Sequence, residues 1–177
     1  LSDPNAQDDI VVSELHIPKG KKVHFKIRSQ DVLHSAYFPH FRAQMNCVPG
    51  MVTEFAFVPI LTSEEYRALP FMVEKVKKIN ELREAKSKEL VAKGLPALDP
   101  YTFDYLLICN KICGASHYNM QMKVIVDSPE DFKKWLSDKP TLVQEVKTAN
   151  APKPAEGGVE TDSTKSKDTA AVAKIAM

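Results

Sequence analysis

Alternation of apolar and polar residues predicts β-strands in the first third of the chain. The clearest example is residues 23–28 (V-H-F-K-I-R), where every second side chain is apolar, as in a strand with one buried face. Residues 10–16 and 54–58 show similar patterns, and Pro49-Gly50 is a turn signal between them. We therefore expect residues 10–61 to form strands of a sheet with one face on a core.

The pattern becomes helical over residues 62–98. Thr62 is a suitable N-cap because two glutamates follow it, and acidic side chains interact favourably with the first turn of a helix. Apolar residues then recur at helical spacing, at Met72, Val76, Ile79 and Leu82. The predicted helix is interrupted near Pro70 and ends at Gly94 and Pro96. Two interpretations stay open: the helix covers the sheet, or it is an arm that docks a partner.

Strand character returns at residues 102–109 and 121–127, and a short helix is predicted to begin at Ser128. After residue 138 the chain is mostly Lys, Ala, Thr and Pro, a composition that cannot bury enough apolar surface to fold alone. The pattern as a whole predicts a mainly β domain with a helical insertion. The expected segments are a polar N-terminus (1–9), strands (10–61), the helical insertion (62–98), strands with a short helix (99–138), and a flexible low-complexity tail (139–177).

Composition and charge narrow the class of protein. With 177 residues, 44% of them hydrophobic, the chain is long enough for one domain with a real core. Its 24 basic and 23 acidic residues nearly balance, which argues against a nucleic-acid partner. No apolar run approaches the roughly 18 residues that a membrane-spanning helix needs. Because the sequence begins at Leu1 and shows no signal peptide, we expect a processed chain or a fragment of a longer protein.

The stretch from Cys109 to Met120 contains the strongest candidates for chemistry. It reads C-N-K-I-C-G-A-S-H-Y-N-M and falls on the loop between two predicted strands. It therefore brings the donors Cys109, Cys113, His117 and Met120 into one loop. Thiolate and thioether are soft ligands and imidazole suits copper, so the set favours copper over hard cations. His34, in D-V-L-H-S, adds a second imidazole upstream.

Four interpretations of these donors remain open on the residues alone. A Cys109–Cys113 disulfide would leave His117 and Met120 without a role. A structural zinc site could use two cysteines and two histidines, but it has little use for the thioether. A mononuclear blue-copper site needs two His, one Cys and a weak axial Met, which leaves Cys109 spare. A pair of copper ions bridged by both thiolates, with one imidazole on each ion, uses every donor.

At these residues the sequence resembles subunit II of haem–copper cytochrome c oxidase, in its binuclear copper A domain. The matching motifs are D-V-L-H-S (31–35), V-P-G (48–50) and C-x-x-I-C-G-x-x-H-x-x-M (109–120). The resemblance covers about residues 10–60 and 101–136. It implies a cupredoxin-like Greek-key β-sandwich, which agrees with the predicted strands.

The resemblance also implies a set of copper ligands. The set comprises two bridging thiolates, three terminal side chains and one backbone carbonyl: Cys109, Cys113, His34, His117, Met120 and Lys111. At the position of Lys111 the family usually has glutamate, whose side chain helps to bind magnesium at the interface with subunit I. A lysine ammonium cannot bind magnesium, which argues against that magnesium site here.

An expected function follows from the same resemblance. The chain would accept electrons from cytochrome c and pass them to haem in subunit I for oxygen reduction, on the outer (periplasmic or intermembrane) face of the respiratory membrane. Asp31 matches an acidic docking residue of the family, and His40 is a further candidate for a partner contact. The family's N-terminal membrane hairpin is missing from this sequence, which we interpret as a fragment. The alternatives are the copper A domain of nitrous oxide reductase and a soluble single-copper carrier.

Overall fold

The computed structural model describes residues 3–149, which divide into two compact units. The larger unit contains residues 14–133, with both sheets and the helical insertion. The smaller unit combines the described parts of the two termini, residues 3–13 and 134–149. Within residues 3–149, no helix combines the length and the apolar character that crossing a membrane requires.

Seven strands of the described residues form two sheets in the larger unit. In chain order they are β1 (Leu15–Pro18), β2 (Val23–Ile27), β3 (His34–Phe38), β4 (Ala43–Cys47), β5 (Thr53–Phe57), β6 (Tyr105–Cys109) and β7 (Gln121–Asp127). Five strands form one sheet in the order β1-β7-β6-β3-β4, in which β1 and β7 are parallel and the other neighbours antiparallel. β2 and β5 pair antiparallel as the second sheet.

Aromatic side chains join the two sheets. Phe25 of β2 packs on Phe38 of β3 with ring centroids 5.0 Å apart, and Phe38 is fully buried. Phe55 and Phe57 of β5 lie 5.8 and 5.4 Å from the same ring. The alternation in β2 explains this packing, because Phe25 turns inward while its polar neighbours stay exposed. The prediction of a mainly β fold with a helical insertion is confirmed.

Two helices form the insertion between β5 and β6. They are α1 (Ser63–Arg67) and α2 (Pro70–Ala92). Thr62 caps α1 as predicted, since its side chain accepts from the Glu65 N–H while the Glu65 carboxylate accepts from the Thr62 N–H. The predicted interruption near Pro70 is also confirmed, because a proline fits the first position of a new helix. After α2, Gly94 adopts a left-handed conformation (φ +74°) that stops the helix.

Most of α2 faces solvent, which differs from the predicted amphipathic helix. Met72 in its first turn is 1% exposed, but Leu82 is 73% exposed. The two predicted apolar positions between them are half-buried. An irregular segment returns along the helix, and Asn80 holds it through hydrogen bonds with the backbone of Tyr101. Polar contacts with the returning chain therefore replace an apolar face over most of α2.

Polar contacts fix both ends of the insertion to the rest of the unit. Ser63 is 3% exposed, and its Oγ accepts a hydrogen bond from the Val126 N–H of β7 at 2.9 Å. Arg67 donates to the backbone oxygen of Phe103 and to the carboxylate of Asp104. The insertion thus leaves and rejoins the sheets beside the first residue of β6.

Two further helices follow β7. They are α3 (Pro129–Ser137) and α4 (Leu142–Ala149). α4 lies within residues 139–177, the predicted flexible tail. Its first turn is stabilised because Thr141 and Gln144 exchange side-chain and backbone hydrogen bonds. Residues 150–177 lie outside the described residues, so the prediction of a tail stays a prediction there.

Candidate metal centre

The predicted donors lie at one end of the five-stranded sheet. His34 is the first residue of β3 and Cys109 is the last residue of β6. Because β3 and β6 are antiparallel neighbours, the start of one strand lies beside the end of the other. Cys113, His117 and Met120 follow in the loop between β6 and β7. The sheet therefore brings together donors that are far apart in sequence.

Backbone geometry shapes the loop around its sulfur atoms. The Cys109 N–H donates to the Met120 carbonyl at 3.0 Å, which closes the base of the loop. Gly114, directly after Cys113, has a φ of +141°, a value that side chains disfavour. The His117 N–H donates to the Gly114 carbonyl at 3.2 Å. This turn carries His117 back towards Cys113.

Each imidazole faces a different thiol. The sulfur atoms of Cys109 and Cys113 are 3.7 Å apart. Nδ1 of His34 lies 3.9 Å from the Cys109 sulfur, and Nδ1 of His117 lies 3.5 Å from the Cys113 sulfur. Among the described residues, the His, Cys, Asp and Glu donors within 4.8 Å of one another are those of His34, Cys109 and Cys113. These three side chains could hold a metal ion, and His117 extends the group on the Cys113 side.

A weak donor accompanies each thiol. The Met120 Sδ lies 3.2 Å from the Cys113 sulfur, and the Lys111 carbonyl oxygen lies 3.2 Å from the Cys109 sulfur. The structure thus brings all six predicted donor residues into one cluster. Their role as metal ligands stays a prediction.

The two thiols differ in acidity. Burial by itself raises the pKa of the Cys109 thiol, but backbone hydrogen bonds and the imidazoles of His34 and His117 outweigh burial and lower the pKa to about 6. Burial, together with the hydrogen bond and negative charge of Cys109, raises the pKa of Cys113. Near neutral pH the pair therefore carries one thiolate, and the second proton leaves when a cation replaces it.

Asp31 forms a contact that the sequence prediction did not include. Its carboxylate accepts a hydrogen bond from the His34 Nε2 at 2.8 Å, and Nδ1 is the ring nitrogen that faces Cys109. This hydrogen bond lowers the pKa of Asp31. Burial lowers the pKa of His34, but Asp31 and Cys109 more than compensate and raise it. The spacing of three residues between Asp31 and His34 was the available signal for this contact.

His40 lies away from the donor cluster. It follows the last residue of β3, whereas His34 is the first. Its ring packs edge-on against Phe103, with centroids 4.8 Å apart, and burial together with the charge of Lys75 lowers the pKa of His40. The predicted partner contact of His40 stays a prediction. A partner at this residue would meet the insertion and not the donor cluster.

Cys47 is a neighbour that sequence reasoning did not single out. It pairs directly with His34 across β3 and β4, and it is 7% exposed. Burial raises the pKa of its thiol. The signal lay in the hairpin, because strands of equal length on either side of a short turn place residues 34 and 47 opposite each other. Cys47 therefore packs beside one imidazole of the cluster.

Exposed apolar side chains accompany the donor end of the sheet. They are Val32, Leu33, Met51, Val52, Ile112 and Tyr118. Ile112 and Tyr118 are 87% and 88% exposed, and each adjoins a donor residue in sequence. Met51 and Val52 follow a turn in which Gly50 has a φ of +76°. Apolar patches of this kind mark contact surfaces for other proteins.

The chain is similar to curated subunits of cytochrome c oxidase. It is 38% identical over 142 residues to the alternative cytochrome c oxidase subunit 2 of Bradyrhizobium diazoefficiens, a match covering 79% of this chain and 37% of the relative. It is 29% identical over 127 residues to cytochrome c oxidase subunit 2 of Thermostichus vulcanus, with 71% and 26% covered. The chain thus spans well under half the length of these relatives.

Among solved structures, the periplasmic domain of subunit II of cytochrome oxidase from Bradyrhizobium japonicum is similar at a TM-score of 0.46 and 15% identity, covering 78% of this chain and 76% of that chain. No protein-family model matches the chain. Fold and site define a β-sheet domain with soft metal donors gathered at one sheet end. On the similarity to its curated relatives, the chain belongs to the cytochrome c oxidase subunit II family, as its motifs predicted.

Proposed function

We propose that this chain is the copper-binding, electron-transfer domain of a cytochrome c oxidase subunit II. The observation that carries the proposal is the pairing of His34 with Cys109 and of His117 with Cys113, across sulfur atoms 3.7 Å apart. A single copper ion would need both imidazoles to converge on it. Two thiolates flanked by two imidazoles suit two copper ions, which the thiolates would bridge.

The donor chemistry also fits copper better than zinc or a hard cation. Met120 lies beside Cys113, and a thioether is a soft ligand that suits copper. Lys111 would contribute its backbone carbonyl, which any side chain allows. When bound, the copper pair would supply a one-electron redox site held by Cys109 and Cys113 together with the two imidazoles. No magnesium is proposed, because Lys111 presents an ammonium where a carboxylate would be needed.

The role of the protein in this function is to hold the metal donors in one geometry. The sheet fixes His34 against Cys109, and Asp31 fixes the tautomer of His34. The loop fixes the remaining donors through the turn at Gly114. A site that is held in one geometry exchanges electrons without rebuilding its ligand shell, which suits transfer rather than bond chemistry.

The apolar side chains at the donor end support a function in contact with other proteins. We propose that they meet subunit I, whose haem would receive the electrons, and that cytochrome c is the electron source. This domain would lie on the outer, periplasmic or intermembrane, side of the respiratory membrane, and subunit I would reduce oxygen. Ile112 and Tyr118 are the best candidates for such contacts because each adjoins a copper donor and is almost fully exposed.

The copper proposal is tested by the metal content and the EPR spectrum of the loaded protein. We expect two copper ions per chain and a hyperfine pattern of one electron shared over both nuclei. Cys109→Ser should lose this stoichiometry and spectrum. Cys47→Ala is the matched control, because Cys47 lies outside the donor set and should leave both unchanged. One copper per fully loaded chain, or a Cys109→Ser variant that keeps its copper and its visible band, would overturn the proposal.

The partner proposal is tested in the assembled oxidase. Ile112→Glu should slow electron transfer between reduced cytochrome c and the haem of subunit I, while the copper content stays at two per chain. Ile60→Glu is the control, since Ile60 is also exposed, at 77% against 87% for Ile112, but follows β5 at the insertion end. Equal rates of electron transfer in both variants would show that the donor-end surface is not part of the electron path.

A further inference from the structure

One line of side chains along α2 faces solvent and is rich in lysine. Residues spaced by three and four positions share a face of an α-helix. The line consists of Phe71, Lys75, Lys78, Leu82, Lys86, Glu89 and Lys93, and all seven are exposed. We call these residues the lysine stripe. With 1.5 Å of rise per residue, the stripe is about 33 Å long.

Charge is distributed unequally around the helix. The stripe carries four lysines and one acid, Glu89, which pairs with Lys86 at 2.8 Å. Glu74 lies at the edge of the stripe and pairs with Lys78 at 2.6 Å, whereas Glu81 and Glu84 lie on another face, rotated away from the stripe at 100° per residue. Lys77 and Lys88 share that second face.

Two large apolar side chains stand exposed within the stripe. Phe71 is 55% exposed and Leu82 is 73% exposed. They lie three helical turns apart, with lysines between them and after Leu82. Exposed apolar groups ringed by charge are typical of protein contact sites, in which the apolar groups provide anchors and the charges select the partner.

The opposite side of α2 is fixed by the returning chain. Asn80 exchanges two hydrogen bonds with the backbone of Tyr101. Arg83 donates to the Asp99 carbonyl at 2.8 Å, and the Ser87 Oγ accepts from the Leu98 N–H at 2.9 Å. The stripe is therefore presented by a helix that is already in place, which reduces the entropy lost on binding.

We propose that the lysine stripe docks an acidic surface of another protein. Charge complementarity to four lysines, two of which also pair with Glu74 and Glu89, selects carboxylate-rich surfaces. Phe71 and Leu82 would enter apolar recesses between the carboxylates. A lipid surface fits less well, since a membrane-binding helix separates its apolar and basic faces, whereas here both types alternate along one line.

The position of the stripe in the fold agrees with a protein partner. The insertion follows the last residue of β5 and precedes the first residue of β6, whereas the copper donors lie at the last residue of β6 and the first of β3. The stripe and the donor cluster therefore belong to opposite ends of the sheet. If the donor end meets subunit I at the membrane, as the proposed function has it, the insertion joins the sheets at the end remote from that contact.

The test uses the full-length subunit in its own membranes, with p-benzoylphenylalanine in place of Leu82. We expect light to crosslink this position to one protein through a peptide rich in Asp and Glu. A Lys75→Glu/Lys86→Glu double variant should reduce the crosslink at least tenfold. The matched control is Lys77→Glu/Lys88→Glu, with the same residue types and the same spacing of eleven positions on the second face, and it should leave the crosslink unchanged. Lysines introduced into the crosslinked acidic peptide should restore contact with the first double variant.

Several results would overturn the proposal. These are equal loss of the crosslink in both double variants, a crosslink to lipid alone, the absence of any crosslink, or no rescue by the charge exchange. Binding of the purified chain to phosphatidylglycerol vesicles, lost in the Lys75/Lys86 variant, would assign the stripe to membranes instead. Copper content, measured in the same preparations, reports on the proposed function separately, because neither double variant touches a copper donor.

Discussion

His34 connects the fold and the site through its two ring nitrogens. Nε2 donates to Asp31 and Nδ1 faces the Cys109 sulfur. A nitrogen that binds metal must carry no proton, so the carboxylate of Asp31 selects the useful tautomer. Cys47, the last residue of β4, is buried and pairs with His34 in the β3–β4 hairpin. One imidazole is therefore oriented by contacts from two segments of the chain, the residues before β3 and the end of β6.

Removing the carboxylate of Asp31 should weaken copper binding. Asp31→Ala is expected to lower the copper affinity by about tenfold, at the low end of the range for groups behind metal ligands, because Asp31 is largely exposed. Asp31→Asn should lower the copper affinity less, since its amide oxygen can still accept a hydrogen bond from Nε2. The affinity is measured by competition with a chromophoric copper chelator. Gln30→Ala is the control at the adjacent exposed position, and an Asp31→Ala variant that binds like the wild type would contradict the role.

Copper affinity should fall as the pH falls, with a change of slope near pH 6. Both thiols must lose their protons to bind metal. The pKa of Cys109 is about 6 and that of Cys113 is raised above its usual value of 9.0. Between about pH 6 and pH 9 one proton, from Cys113, is displaced, which gives roughly a tenfold change in affinity per pH unit.

Below about pH 6 the Cys109 proton must also be displaced, and the raised pKa of His34 adds to the effect. The dependence on pH should therefore steepen there. The measurement is the same chelator competition, repeated across buffers at constant ionic strength. An affinity that stays constant from pH 6 to pH 9 would show that both thiols are already ionised before copper binds.

At the scale of the element, α2 shows that a helix can be fixed with little apolar burial. Its boundaries follow from local chemistry, with a proline at its first position and a left-handed glycine after its end. Its packing does not follow from periodicity, because polar side chains of the helix bind the returning backbone in place of an apolar face. Of the apolar positions that predicted an amphipathic helix, only Met72 is fully buried, whereas Val76 and Ile79 are half-buried and Leu82 is exposed.

Truncation of Met72 and of Leu82 should have very different effects on stability. Met72→Ala is expected to reduce the free energy of unfolding by about 2–5 kcal/mol, because Met72 is 1% exposed and its removal leaves a cavity. Leu82→Ala should change it by less than about 0.5 kcal/mol, since Leu82 is 73% exposed. Urea denaturation of both variants provides the comparison. Similar losses would mean that the middle of α2 is buried in solution.

At the scale of the whole molecule, the site ties the start of β3 to the loop after β6. These segments are joined through the insertion, so a metal ion that holds both cross-links distant parts of the chain. Binding to the folded state stabilises it by mass action, by about 2.7 kcal/mol at a free copper concentration of one hundred times Kd. Copper should therefore raise the Tm of the domain in a concentration-dependent way.

The control for copper-linked stability is a Cys109→Ser/Cys113→Ser double variant. It should unfold at the same temperature with and without copper, because both bridging thiols are gone. Calorimetry of the two proteins with equal copper additions measures the difference. If copper raises the Tm of the double variant by as much as that of the wild type, the metal acts at another place in the fold.

The sequence predicted more of the site than of its surroundings. Cys109, Cys113, His117 and Met120 lie in one loop, so their spacing alone brings them together. His34 was found through a motif shared with a family. The hydrogen bond of Asp31 and the proximity of Cys47 were not found, because both depend on the conformation before β3 and on the register of the hairpin β3–β4.

The sequence by itself determined which residues can bind a soft metal, where the helical insertion begins and is interrupted, and the family of the chain. These properties reside in local spacing and side-chain chemistry, which act over a few residues. Only the tertiary structure decided that His34 faces Cys109 while His117 faces Cys113, and that one face of α2 stays open. Strand order, register and the course of the returning segment fix these contacts, and each depends on free energy that is gained only when distant segments pack together.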